Sequence, residues 1–130
     1  MILTYIILYF YFGVCGWLID TSYRSLRQGR YAPGGYPTLF APDYGLGGLG
    51  FILIFQFVPL HAIWQVILAG GAATLVELIA GLFCLHVLGR RIWDYSDNFL
   101  NIGGHVDALH AFYWIVLAGV FRWLFVFVPI

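Results

Sequence analysis

The stretch of sequence that decides the fold is 62–88, AIWQVILAGGAATLVELIAGLFCLHVL. A helix needs about 20 mainly apolar residues to cross the hydrocarbon of a bilayer. This stretch is longer than that and contains a single charged residue, Glu77. It predicts a membrane-spanning helix and thereby sets the class of the chain.

Three further apolar stretches lie on either side of it, and Pro59 ends the shortest of them. The sequence therefore predicts an all-α polytopic membrane protein, a bundle of four transmembrane helices in a single membrane domain over 1–130. The spans are expected at about 2–19, 46–60, 62–88 and 108–128. Because no basic segment and no A-x-A cleavage site accompany the first stretch, we expect it to be a retained span rather than a cleaved signal.

The composition excludes several classes of protein. Hydrophobic residues make up 62% of the chain and charged residues 9%, whereas a soluble domain carries about 25% charged residues. This excludes a water-soluble enzyme and a nucleic-acid-binding protein. All six basic residues are arginines, so the lysine needed by a P-loop or a Schiff-base enzyme is absent. Any ATP hydrolysis would have to come from a partner protein.

Two polar loops, 27–44 and 89–107, separate the spans, and we expect both to be structured. If all four spans cross the membrane, the two loops lie on the same side. Five of the six arginines then lie in or near these loops, at positions Arg24, Arg27, Arg30, Arg90 and Arg91. Because cytoplasmic loops carry an excess of arginine and lysine, this side is predicted to be the cytoplasm and both termini are predicted to lie outside.

The third span carries a stripe of small and polar residues at 4-3-4-3 spacing: Gly70, Thr74, Glu77, Gly81 and Cys84. The opposite side is apolar and carries Leu75, Leu78, Ile79, Leu82 and Leu85. Small residues allow helices to approach closely within a membrane, so the stripe is predicted to face protein. A charge at the bilayer centre costs roughly 2.5 to 3.5 kcal/mol on insertion scales, so Glu77 is expected to be paired or functional.

Similar stripes occur on the first span (Tyr9, Gly13, Gly16, Asp20) and on the fourth (Asp107, Ala111, Trp114, Ala118, Arg122). Their convergence predicts a polar intramembrane site made of Glu77, Thr74, Arg122 and Asp20. The alternative is a structural tie from Glu77 to Arg122 or to backbone. Direct pairing would need a long reach, tilt or a water, because Arg122 is expected to lie roughly 10 Å further toward the outer side.

The remaining ionisable groups have simpler interpretations. Asp20 and Arg24 have the spacing of an exposed helix pair. His105, Asp107 and His110 are expected to cap or to lie at the interface rather than bind a metal, and no cofactor is expected. Ligation of a haem or chlorophyll by His86 or His110 stays open. The two cysteines, Cys15 and Cys84, are expected to be free thiols buried in the membrane.

Four segments resemble the type IV ABC-transporter permease family of bacterial membrane proteins, in the order in which that family has them. They are GWLIDTSYRSLRQGRYAPGG (16–35), FAPDYGLGGLG (40–50), TLVELIAGLF (74–83) and LGRRIWDYSDNFLNIGGH (88–105). The segment WDYS at 93–96 is the most specific of the matches. The chain departs from the family pattern at Asp20, where the family has Glu, at Ala41, where it has Gly, and at Asp43, where a second proline is expected.

The resemblance implies which residues carry the motifs. They fall on Trp17, Arg24, Tyr44, Gly45, Thr74, Glu77, Arg91, Trp93, Asp94, Tyr95, Ser96, Asn101 and Gly103. We expect the two loops to contact each other, with Asp94 accepting from Arg24 or Arg27. The alternative is that Asp94 caps a short turn within its own loop.

The resemblance also implies a function: a permease-like subunit of a transporter in the bacterial inner membrane, whose substrate the sequence does not name. A homo-oligomer, other membrane subunits and a separate ATPase are the partners expected besides the lipid bilayer. A non-catalytic accessory subunit of a larger membrane complex is the alternative, and an intramembrane enzyme is a third hypothesis without a legible catalytic constellation.

Overall fold

The computed structural model describes residues 1–36 and 39–125. Four helices follow one another in the chain: α1 (Ile2–Gln28), α2 (Pro42–Phe57), α3 (Ala62–His86) and α4 (Ala108–Phe125). The described residues form no strand, and their only pairing of extended backbone is an isolated bridge between Ile102 and Val106. The predicted all-helical class is confirmed.

Three of the helices, α1, α3 and α4, are long and apolar enough to cross a membrane. α2 has 16 residues and is therefore about 24 Å long, which is short for a bilayer core of about 30 Å. Two helices differ in extent from the spans predicted for them. α1 continues to Gln28 instead of ending near residue 19, and α2 occupies Pro42–Phe57 rather than 46–60. α3 ends at His86, and residues 126–128 of the fourth predicted span lie outside the described residues.

Local chemistry explains these boundaries. α1 continues past its apolar part because Asp20 and Arg24 form an ion pair across one turn, with Arg24 Nε 3.1 Å from Asp20 Oδ2. It ends at Gly29, which has the left-handed conformation (φ 64°) that closes many helices. α2 starts earlier than predicted because proline fits the first turn of a helix, where its missing N–H has no partner to lose.

The chain divides into two compact units, residues 1–49 and 50–130. In the first, α1 packs against the segment that enters α2. The amide of Ala41 donates to the carbonyl of Gly13 at 2.9 Å. A Cβ built on Gly16 would lie 2.1 Å from Cβ of Tyr44. Glycine at these positions on α1 therefore lets the two segments approach closely, as the small-residue stripe on the first span predicts.

In the second unit, α3 and α4 pack against each other as an antiparallel pair. The approach is closest at Gly70, where an added Cβ would lie 2.8 Å from Cα of Ile115. Ala69 and Ala118 are completely buried in this unit. Phe51 of α2 is 1% exposed and lies edge-on to the Trp114 ring. The part of α2 from residue 50 onward therefore belongs to the core around α4.

Candidate functional site

The stripe predicted on α3 faces the protein. Gly70, Glu77, Gly81 and Cys84 are buried and Thr74 is half-buried. On the opposite side Leu75, Ile79 and Leu82 are exposed, whereas Leu78 and Leu85 are half-buried. The exposed fraction of Glu77 is 5%, although a carboxylate is among the least often buried groups. Small residues flank it along the helix, so neighbouring segments can reach its oxygens.

Each carboxylate oxygen of Glu77 accepts a hydrogen bond from an aromatic side chain. Oε1 accepts from the Tyr95 hydroxyl at 3.0 Å, and Oε2 accepts from Nε1 of Trp114 at 2.8 Å. An indole N–H can only donate, so Oε2 acts as an acceptor whatever the charge on the group. The contact with Trp114 places Glu77 against the stripe of the fourth span. Tyr95 adds a link from the loop.

Tyr95 is held in place by the beginning of α4. Its ring stacks on the His110 imidazole with centroids 3.9 Å apart and planes inclined by 8°. His110 Nδ1 lies 2.7 Å from Asp107 Oδ1, and the same oxygen accepts from the His110 amide. Asp107 therefore caps α4. Its pKa is lowered because bonds from His110 and Asn98 outweigh the raising effect of burial. The predicted capping role of this acidic group is confirmed.

The rest of the α3–α4 loop is fixed by its own hydrogen bonds. The Asn101 side chain donates to the carbonyls of Ser96 and Asn98, and its oxygen accepts from the Gly104 amide. The Tyr95 amide donates to the Gly104 carbonyl at 2.8 Å. Gly104 has φ 74°, where a side chain would be strained. The loop therefore presents the Tyr95 hydroxyl to α3 from a defined backbone.

Asp94 is used within this loop. It accepts from both the amide and the hydroxyl of Ser96, and these bonds lower its pKa. Arg91 lies 3.8 Å away and donates to the Gly103 carbonyl. The arginines proposed as partners of Asp94 pair within α1 instead: Arg24 with Asp20, and Arg27 with the Tyr23 hydroxyl at 3.1 Å. These bonds fit the alternative interpretation, in which Asp94 caps a short turn within its own loop.

Three of the other residues expected in the intramembrane site, Arg122, Thr74 and Asp20, each have a hydrogen-bond partner close by. Arg122 Nε donates to Gln65 Oε1 at 2.9 Å, and Gln65 lies twelve residues before Glu77 on α3. That spacing corresponds to about 18 Å along the helix, so Arg122 and Glu77 act at different depths. The Thr74 hydroxyl donates to the Gly70 carbonyl of its own helix at 2.9 Å. Asp20 pairs with Arg24 on α1 and accepts from the Gly35 amide.

Three contacts around the candidate site involve residues that were not predicted as site residues. Asn98 donates to Asp107, Gln65 holds Arg122, and His105 packs on α3. A Cβ on Gly81 would lie 2.5 Å from His105 Nδ1. Burial lowers the pKa of His105. Of these residues, Gln65 could have been found from its spacing, because it begins a row of residues four apart that leads to Glu77.

The other loop-motif residues have structural contacts. Trp93 Nε1 donates to the carbonyl of His105 at 2.8 Å, and Tyr44 packs on Gly16 of α1. His86 is exposed at the end of α3, and neither Cys15 nor Cys84 takes part in a disulfide. No group of three or more His, Cys, Asp and Glu side chains that could hold a metal occurs among residues 1–36 and 39–125.

Comparison with known proteins identifies the family of the chain. No curated protein and no solved structure matches the chain. The family model described as "Putative ABC-transporter type IV" matches residues 7–129, which include both loops, Glu77 and its two aromatic partners. The resemblance seen in the loop motifs is thereby confirmed over nearly the whole chain. The chain is a transporter-related membrane protein and belongs to the type IV ABC-transporter family.

Proposed function

We propose that the chain is the membrane-spanning permease subunit of a transporter and that Glu77 is its polar site. The observation that carries this proposal is the buried carboxylate within a candidate span, tied to the loop by Tyr95 and to α4 by Trp114. Ionisable residues inside membrane helices are costly and commonly mark pathways for ions, protons or substrates.

The position of Glu77 suggests how loop and pathway are coupled. Glu77 precedes the last residue of α3 by nine residues, which corresponds to about 14 Å along the helix from its C-terminal end. The Tyr95 hydroxyl reaches it from a loop outside the span. A movement of this loop would therefore remove one of the donors on the carboxylate and expose Oε1 to a substrate or an ion. A separate ATPase bound to the loop could supply such a movement.

The proposal includes an orientation and partners. Both termini lie outside, and the two arginine-bearing loops lie in the cytoplasm of a bacterial cell, with the protein in the inner membrane. α2 is the short crossing of this topology. Four helices are few to enclose a pathway, which supports a homo-oligomer or an assembly with other membrane subunits. The arginine bias across the loops supports the orientation.

Loss of the gene tests the transport function before any substrate is known. Cells lacking the protein are compared with cells carrying it by profiling small molecules in the medium and in the cytoplasm. The proposal expects at least one compound to be displaced across the membrane, and its distribution to be restored by the wild-type chain. Unchanged distributions under every growth condition that produces the protein would contradict it.

A second candidate function is a non-catalytic accessory subunit of a larger membrane complex. The specific observation in its favour is that both oxygens of Glu77 already have donors, as a structural tie requires. In that case Glu77 stabilises the α3–α4 pair and has no role in flux. The two functions predict different results for Glu77→Gln at equal amounts of assembled protein. The flux should fall if Glu77 is the site of a permease and stay unchanged if Glu77 is only a structural tie.

A further inference from the structure

We infer that Arg122 and Gln65 form an anion site for a phosphate group, separate from Glu77. The guanidinium of Arg122 is held on two sides. Nε donates to Gln65 Oε1 at 2.9 Å, and the Cζ atom lies 5.8 Å from the centroid of the Phe55 ring. An arginine fixed in this way presents its two terminal nitrogens in a set direction.

The orientation of the Gln65 side chain is fixed by its own hydrogen bonds. Its exposed fraction is 5%, and its Nε2 donates to the carbonyls of Val58 at 2.8 Å and Phe55 at 3.4 Å. Because the amide nitrogen is used by these carbonyls, the amide oxygen must point toward Arg122. The hydrogen bond thus orients the arginine without neutralising it, since an amide carries no charge.

No carboxylate compensates the charge of Arg122 within the described part of the chain, where none of the ion pairs involves it. Glu77 lies about 18 Å further along α3 and is bonded to Tyr95 and Trp114. The four N–H donors on the terminal nitrogens of Arg122 are not used by any described residue. A half-buried guanidinium without a carboxylate is therefore left with donors that match an oxyanion.

The location favours a phosphate at the membrane surface. Gln65 lies three residues after the start of α3, so Arg122 is about 5 Å from the level at which that helix begins. The positive end of the α3 dipole would repel an arginine and attracts an anion. Two sources could supply the phosphate: a phospholipid headgroup at that face or a soluble phosphate compound on its way through the transporter.

The test uses the purified full chain in mild detergent and native mass spectrometry. Phosphatidylglycerol is titrated against diacylglycerol with the same acyl chains, which lacks the phosphate. A second arm titrates inorganic phosphate in nanodiscs of uncharged glycolipid and follows the unfolding temperature. The variants are Arg122→Gln and Gln65→Glu, which gives Arg122 a carboxylate partner at nearly constant volume. Arg90→Gln is the control, because Arg90 is an exposed arginine of the α3–α4 loop.

Wild type and Arg90→Gln are expected to prefer phosphatidylglycerol, and Arg122→Gln and Gln65→Glu to bind it about tenfold more weakly or worse. The comparison of the two lipids on wild type does not depend on how either variant folds. Binding in the lipid arm alone identifies a headgroup site, and binding of inorganic phosphate as well identifies a soluble anion. Equal binding of both lipids by wild type, or wild-type affinity in both variants, would overturn the inference.

Discussion

Tyr95 of the α3–α4 loop donates its hydroxyl hydrogen to Glu77 Oε1 at 3.0 Å, although 18 residues separate the two along the chain. The bond joins a carboxylate within a candidate membrane span to a loop that emerges from that span. The other oxygen of Glu77 accepts a hydrogen bond from Trp114, which lies on the opposite helix. Helix α3, helix α4 and the loop between them are therefore connected through one side chain.

Replacing Tyr95 by Phe tests this connection. The phenylalanine ring can keep the stacking on His110, whereas the donor to Glu77 is lost. Loss of a hydrogen bond to a buried carboxyl group costs about 1 to 3 kcal/mol, so the free energy of unfolding in detergent should fall by that amount. Trp114→Phe removes the other donor and should have an effect of similar size. The double variant Tyr95→Phe, Glu77→Ala should cost less than the sum of the single changes, and strict additivity would show that the bond does not form.

Gly81 should be intolerant of a side chain. A Cβ there would lie 2.5 Å from Nδ1 and 3.1 Å from Cβ of His105, so the buried ring and its backbone would have to move. We expect Gly81→Ala to lower the free energy of unfolding by about 1 to 3 kcal/mol. Gly71→Ala is the matched control, because nothing lies within 4 Å of a Cβ at that helical position. Alanine at 71 should stabilise α3 slightly, and equal effects at the two positions would contradict the packing of His105 on α3.

His105 should make stability depend on pH. Burial lowers its pKa in the folded protein below the unfolded value of about 6.5, and the nearby Arg91 and His86 act in the same direction. As the pH falls below about 6.5, the unfolded chain takes up a proton at this position more readily than the folded protein, so the free energy of unfolding decreases. His105→Asn should flatten the pH dependence between about pH 7 and 5. The exposed His61, at the start of α3, provides the control: His61→Asn should keep the wild-type slope.

The face of α3 was predictable because the spacing of small residues determines which side can approach another helix. Gly70, Gly81 and Cys84 are buried with Glu77 as that spacing requires. The start of α2 at Pro42 was not predicted, because the polar residues Asp43 and Tyr44 lower the hydropathy there. Pro42 nevertheless favours the first turn of a helix. Hydropathy indicates which residues lie within the membrane, whereas the ends of a helix are determined by local backbone chemistry.

The partners of Glu77 could be predicted only in part. Trp114 lies on the stripe of α4, and an antiparallel pair brings it opposite α3. The contact with Tyr95 depends on the path of the loop, which is fixed by the amide of Asn101 and the left-handed Gly104. Such loop geometry has no periodic signal. Arg122 bonds to Gln65, which is nearer to it in depth than Glu77 is, and the charge pattern alone could not point to an uncharged amide as its partner.

The proposed orientation can be tested by labelling cysteines from each side of the membrane. Ser25 at the end of α1 and Ser96 in the α3–α4 loop are replaced one at a time by cysteine in a chain whose Cys15 and Cys84 are alanine. Both new thiols should react with a membrane-impermeant maleimide only after the cytoplasmic face is opened. Labelling of the two positions from opposite faces would show that α2 does not cross, and labelling of both from outside would reverse the orientation.

The measurement that tests the central claim most directly is the rate at which Glu77→Gln moves the compound identified by gene loss, at an equal amount of assembled protein in the membrane. Gly71→Ala is carried alongside as a folded control. If Glu77 is the polar site of a permease, the glutamine variant should assemble and lose at least about tenfold in rate, because the amide carries no charge and cannot exchange a proton at neutral pH. Wild-type transport by an assembled Glu77→Gln variant would contradict the claim and leave Glu77 as a structural tie between α3, α4 and their loop.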